Sequence, residues 1–144
     1  MEVVNENVCA VNLRLHGQRT CIIAIYMPHA GKCSDEQERL YIELSKLIKK
    51  AKKNKRVVVL AGDFNAVVGK TGDDDYANTS KQTLSKACGT FGYGNRNQKG
   101  QRLHQFCTQE NLTIGNTMFD KPNDQIWTHR SVKTGGDDNL RQIE

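Results

Sequence analysis

The sequence predicts an α/β domain, and three features predict it. They are an apolar strand-like run at residues 20–27, an amphipathic helical pattern at residues 34–53, and the β-branched run Val57-Val58-Val59-Leu60-Ala61 that follows. The first strand is expected at residues 7–15, which alternate loosely, and His16-Gly17-Gln18-Arg19 supplies a turn before the second strand, so the two form a hairpin. Pro28 closes that second strand because proline cannot donate to a ladder, and His29-Ala30-Gly31-Lys32 continues as a loop. Ser34 and Gln37 have the spacing of a capping box, and Asp35 and Glu36 suit the positive end of a helix dipole. Leu40, Leu44, Leu47, Ile48 and Ala51 then recur three and four residues apart, giving one apolar face. The run at 57–61 reads as a central strand buried on both faces.

Beyond it, residues 69–80 read as a surface loop, 82–88 as a short helical turn, and the glycine-rich stretch 89–94 as an irregular connection. From Gly100, the residues Leu103, Phe106 and Cys107 share a helical face, residues 112–116 resemble a short strand, and residues 125–129 around Trp127 form another. The acids Asp73, Asp74 and Asp75 could attract a cation or could be a solvated loop. The stretch 135–139 is polar.

Composition narrows the function classes. A chain of 144 residues fits one folded domain or a piece of one, and 21 Lys+Arg against 16 Asp+Glu give a formal net charge of +5, which suits an anionic partner. No apolar stretch approaches the roughly 20 residues needed to span a bilayer, so no membrane contact is expected. The acidic N-terminal stretch has no secretion signal, which leaves an intracellular protein, nuclear or cytoplasmic, as the expectation. Five widely spaced cysteines make an odd count with no CxxC pair, so reduced thiols are expected. A zinc set from His29, Cys33, His104 and Cys107 matches no standard spacing. Lys46, Lys49, Lys50, Lys52, Lys53, Lys55 and Arg56 crowd the end of the long helix, where cations complement the dipole and can also attract nucleic-acid phosphate.

The chemistry concentrates in Gly62-Asp63-Phe64-Asn65-Ala66, directly after the β-branched strand. Asp63 and Asn65 stand two residues apart, so on extended backbone a carboxylate and a carboxamide point to one side, where open α/β sheets place ligands. An ionised Asp can orient or deprotonate water, and an Asn can donate to a phosphate oxygen, which suits phosphodiester hydrolysis. The same residues can equally form an Asx turn that ends the strand. Tyr26 and His29 could bring a phenol and an imidazole to the same rim, or be a half-buried strand residue and a loop histidine.

Ile25-Tyr26-Met27-Pro28-His29-Ala30-Gly31 and Val59-Leu60-Ala61-Gly62-Asp63-Phe64-Asn65-Ala66 resemble two signature segments of the endonuclease/exonuclease/phosphatase family, in the same order and spacing. The segments Phe91-Gly92-Tyr93-Gly94-Asn95-Arg96-Asn97, Gly100-Gln101-Arg102-Leu103, Phe106-Cys107 with 111–117, and Trp127-Thr128 resemble one branch, the endonuclease domains of RTE-type non-LTR retrotransposons and a similar host protein. The resemblance implies a partial four-layer α/β/β/α sandwich forming one domain over residues 1–144. It also implies a divalent metal, usually Mg2+, assisting water in cleaving a phosphodiester of DNA, with no small-molecule cofactor. By motif match Asp63 orients or deprotonates the water, while Asn65 and Tyr26 hold the phosphate. His29, Trp127 and Asn97 are candidates for substrate contact, with core packing the competing role for Trp127.

The sequence departs from the family at both ends. Nothing upstream of Asn7 supplies the family's first two strands with their Asn and metal-ligand Glu, and the terminal Ser-Asp-His segment is not reached. Glu144 stands where the family places the Asp that orients that histidine, and Ile126 where this branch more often has Thr. No metal ligand is therefore assigned, and negligible hydrolysis is expected of these residues alone. The alternatives are a non-catalytic nucleic-acid or partner-binding module, a remnant reading frame with exposed sheet edges, and a phosphatase of small phosphoesters.

Overall fold

The computed structural model describes residues 2–29, 34–69 and 87–122. It falls into two compact units, Met1–Asn65 and Ala66–Glu144. In the first, strands β1 (Glu2–Asn5), β2 (Val8–Leu15), β3 (Gln18–Tyr26) and β4 (Val57–Asp63) form one sheet in the order β1-β2-β3-β4. Helix α1 (Ser34–Lys53) connects β3 to β4. The first three strands pair antiparallel and β3 pairs parallel with β4, so the mixed sheet and its crossover helix give the α/β class.

The hairpin turn is tighter than the four residues read from sequence. His16 and Gly17 both take positive φ (46° and 80°), the two-residue geometry that matches strand twist, and Leu15 pairs with Gln18. Strand β1 was not foreseen, since upstream of Asn7 no strand is expected. Four residues are too few to display alternation, and a turn in which Asn5 Oδ1 accepts the Asn7 N–H (2.8 Å) folds them back onto β2.

Helix α1 occupies the residues its periodicity predicts. Leu40, Leu44, Ile48 and Ala51 are buried, Leu47 is half-buried, and Tyr41, absent from the expected face, is buried too. The opposing sheet face presents Val8, Ala10, Cys21, Ile23 and Ile25, all buried. Strand β4 departs from its reading as doubly buried: Val57 and Val59 are 48% and 41% exposed. One crossover helix covers one face, and alternate residues of β4, an edge of the sheet among the described residues, point to the other.

The second unit holds helix α2 (Gln98–Glu110) and a 3-10 turn, Gly115–Thr117. Asn97 caps α2, its Oδ1 accepting from the Gly100 N–H at 2.7 Å and the Val67 N–H at 3.2 Å. Gly100 is obligatory by space, since a Cβ there would lie 1.8 Å from the Val67 carbonyl oxygen. Leu103, Phe106 and Cys107 are buried, as their spacing predicts. Asn111 ends the helix in the left-handed region (φ 51°). The strand read at 112–116 is not one: Ile114 makes a lone backbone bond to the Ala87 carbonyl, and Thr117 N–H and Oγ1 both donate to the Ile114 carbonyl, closing the 3-10 turn. The loop at 70–80, nearly all of the turn at 82–88, the strand at 125–129 and the stretch at 135–139 lie outside the described residues.

Candidate functional site

The parallel register places Tyr26 opposite Asp63, each the last residue of its strand. Two parallel strands thus end together, and their carboxyl ends are where α/β sheets open a ligand crevice. The close approach depends on Gly62. Its φ is +147°, and a Cβ would sit 1.8 Å from the Ile25 carbonyl oxygen, so no side chain fits at the last ladder position before Asp63.

Past the strands, the backbone is tied down by side chains. Asp63 Oδ1 accepts the Asn65 N–H at 2.8 Å, so the Asx turn does form. It does more than end the strand, because it puts Asn65 in the left-handed region (φ 48°) with Nδ2 donating to the Met27 carbonyl at 2.6 Å. The Met27 N–H in turn donates to the Asp63 carbonyl at 2.7 Å. Gln37, read in sequence as the capping-box partner, has its Nε2 on the Pro28 carbonyl at 2.9 Å. Two hydrogen bonds therefore hold Met27 against the end of β4, and a third ties Pro28 to helix α1. Gln37 is a positioning residue whose reach to a loop nine positions upstream has no signal in the sequence.

The segment presents two rings. The Tyr26 and His29 centroids lie 5.9 Å apart, edge to face at 77°, and Tyr26 is 46% exposed, so its hydroxyl faces open solvent. Among the described residues that hydroxyl and the second Asp63 carboxylate oxygen have no hydrogen-bond partner. The rim thus gathers Tyr26, His29, Asp63 and Asn65 as the sequence suggests. Asn97 lies in the other unit, where its side-chain oxygen caps α2. Trp127 and Glu144 lie outside the described residues.

A hard cation needs several oxygen ligands in a fixed cage. The rim offers one carboxylate, half of it already engaged by Asn65, and among the described residues no three His, Cys, Asp or Glu side chains gather at one place. These residues do not fit a resident magnesium ion, and no step is routed through one. A zinc role for Cys107 meets a second obstacle: burial, with Cys88 beside it, pushes its thiol up to about 12, away from the thiolate a metal needs. Cys33 of that set is outside the described residues. Among the described residues no helix is long and apolar enough to cross a membrane.

Comparison with known proteins bears on the same segments. The profile of the Endonuclease/Exonuclease/phosphatase family matches residues 3–141, a span that runs through both compact units. Craniofacial development protein 2 of Bos taurus is 30% identical over 123 residues, which cover 84% of this chain and 19% of the bovine protein. The protein of the same name from Tragulus javanicus shows the same identity and coverage. The match thus takes in about a fifth of the length of these relatives. No solved structure matches the chain. With the family profile spanning nearly all of the sequence, the chain belongs to the endonuclease/exonuclease/phosphatase family.

Proposed function

We propose that the rim engages a DNA phosphodiester, as an endonuclease-like domain of retrotransposon ancestry, and that these 144 residues by themselves hydrolyse it negligibly. The observation that carries the reading is the paired strand ends. Register sets a phenol beside a carboxylate, and the Asn65-to-Met27 bond fixes the backbone that bears the imidazole. In this reading the Tyr26 hydroxyl and a ring N–H of His29 donate to non-bridging phosphate oxygens, and Asp63 accepts from and orients a water at the phosphorus. Asn65 holds the loop through its amide bond to the Met27 carbonyl.

The family generally uses divalent metal ions, and phosphoryl transfer draws most of its rate from metal and positioned cations. A rim with one free carboxylate oxygen retains the holding part of that machinery, which favours binding without turnover. The second reading, a non-catalytic nucleic-acid module, differs only in whether the water is ever activated.

Nicking of supercoiled DNA in magnesium, by the purified chain and by Asp63→Ala prepared identically, tests the inactive reading. Equal, background-level nicking is expected. Magnesium-dependent nicking that disappears in Asp63→Ala would show that the rim suffices for catalysis and would overturn it.

A further inference from the structure

At the opposite end of the same strands lies a cluster that the rim does not use. Helix α1 runs back across the sheet, so its last turn meets the start of β3 and β4, six residues up the register from Tyr26 and Asp63 and hence about 20 Å away. There a cavity of about 160 Å³ opens, lined by Asn12, Cys21, Lys50, Asn54 and Arg56 among others. Its polar lining is two carboxamides and two cations.

Further cations stand around it. Asn12 pairs with Cys21 across β2 and β3, and Arg14 pairs with Arg19 one step outward on the same face. Two exposed guanidinium groups thus stand directly opposite each other, an arrangement that destabilises a sheet unless an anion is shared. Among the described residues Arg14, Arg19 and Arg56 have no acidic partner. The helix ends in a Schellman turn, Arg56 N–H to the Ala51 carbonyl and Lys55 N–H to the Lys52 carbonyl, with Lys55 at φ 53° where glycine is usual. Keeping lysine at that strained position adds one more cation to the same end.

We propose that this end is a second, non-catalytic seat for nucleic-acid backbone. One phosphate sits at the cavity mouth between Lys50 and Arg56, with Asn12 and Asn54 beside it, and a neighbouring phosphate lies over the Arg14–Arg19 pair. The lining offers cations and carboxamides but no aromatic ring on which a base could stack, so the contact reads charge and not sequence. The proposal rests on the nucleic-acid reading of the rim, yet it is measured on different residues.

The test is the salt dependence of binding to a DNA duplex of about 20 base pairs, followed by fluorescence anisotropy with the full chain. Arg14→Gln/Arg19→Gln/Arg56→Gln should weaken binding at least tenfold and flatten the slope of log K against log salt by about 1.8, which is 0.9 for each of the two phosphates. Arg39→Gln/Lys99→Gln/Lys121→Gln removes the same charge from positions outside this cluster and should change the slope by less than about one. Equal effects of the two triple variants would reduce the result to net charge and overturn the proposal. So would an unchanged slope in the first variant, absence of duplex binding by the parent chain, or arginine-dependent binding to phosphatidylserine vesicles without duplex binding. The rim is read separately, on the His29 resonances titrated with a dinucleotide. A responsive His29 with silent arginines sinks only this inference, and the reverse pattern sinks only the rim.

Discussion

Gly62→Ala should cost about 3 kcal/mol of stability and dismantle the rim together with it. Two effects add. The backbone sits at φ +147°, which a residue with a side chain adopts only under strain, and the new methyl would meet the Ile25 carbonyl oxygen at 1.8 Å, its carbon at 2.8 Å and the Ile25 nitrogen at 2.9 Å. All three are backbone atoms of the neighbouring strand, so no rotamer change relieves the contact. Either β4 moves off β3 or the last ladder positions open, and the first pair lost is Tyr26 with Asp63. Urea unfolding gives the magnitude, and the signal of the His29 imidazole, whose ring lies 5.9 Å from Tyr26, read by magnetic resonance, reports the rim in the variant before unfolding. A loss below about 1 kcal/mol with an unchanged signal would mean that β4 does not approach β3 this closely.

Leu44→Ala should cost about 2–5 kcal/mol, through lost transfer energy and the cavity left behind. Leu44 is fully buried in the middle of α1, and the helix is what covers the sheet face formed by Val8, Ala10, Ile23 and Ile25. Ile42, two residues earlier, is 54% exposed, so Ile42→Ala should stay within about 0.5 kcal/mol. The contrast is the informative quantity, because both changes remove a branched aliphatic side chain from the same helix. Equal losses by urea unfolding would place the wrong face of α1 against the sheet. The consequence reaches function: α1 carries Gln37, whose amide holds the Pro28 carbonyl, so loosening the helix loosens the loop that bears His29.

Much of this was legible in the residues. The bounds of α1 follow from acids in its first turn, cations in its last and an unbroken apolar stripe, all local signals. The hairpin follows from two apolar runs around a glycine. Gly62-Asp63-Phe64-Asn65 announced a turn after a strand, and the Asx turn forms: it takes Asn65 out of the extended backbone on which the pair was expected to share one side, and aims its amide at Met27. What escaped depends on tertiary context. Strand β1 is too short for a pattern and exists because β2 offers it a partner. The exposure of Val57 and Val59 reflects which faces are covered, and a run of valines reads the same on an edge strand as in a centre. Asn97, noted inside a family-like segment, could have been read as a cap from its spacing to Gly100. The strand expected at 112–116 failed because Thr117 satisfies the Ile114 carbonyl locally, and local bonding by a hydroxyl outcompetes a ladder that has no partner strand among the described residues.

The central claim is that Tyr26, His29, Asp63 and Asn65 form one phosphate-engaging rim, and the most direct measurement is the dissociation constant of a thymidine dinucleotide read from the His29 imidazole resonances. In the parent chain those resonances should move saturably. Tyr26→Phe keeps the ring beside His29 but removes the hydroxyl, and should raise the dissociation constant about tenfold, the worth of one hydrogen bond to a charged oxygen. Resonances that do not move, or identical dissociation constants for the two proteins, would contradict the account.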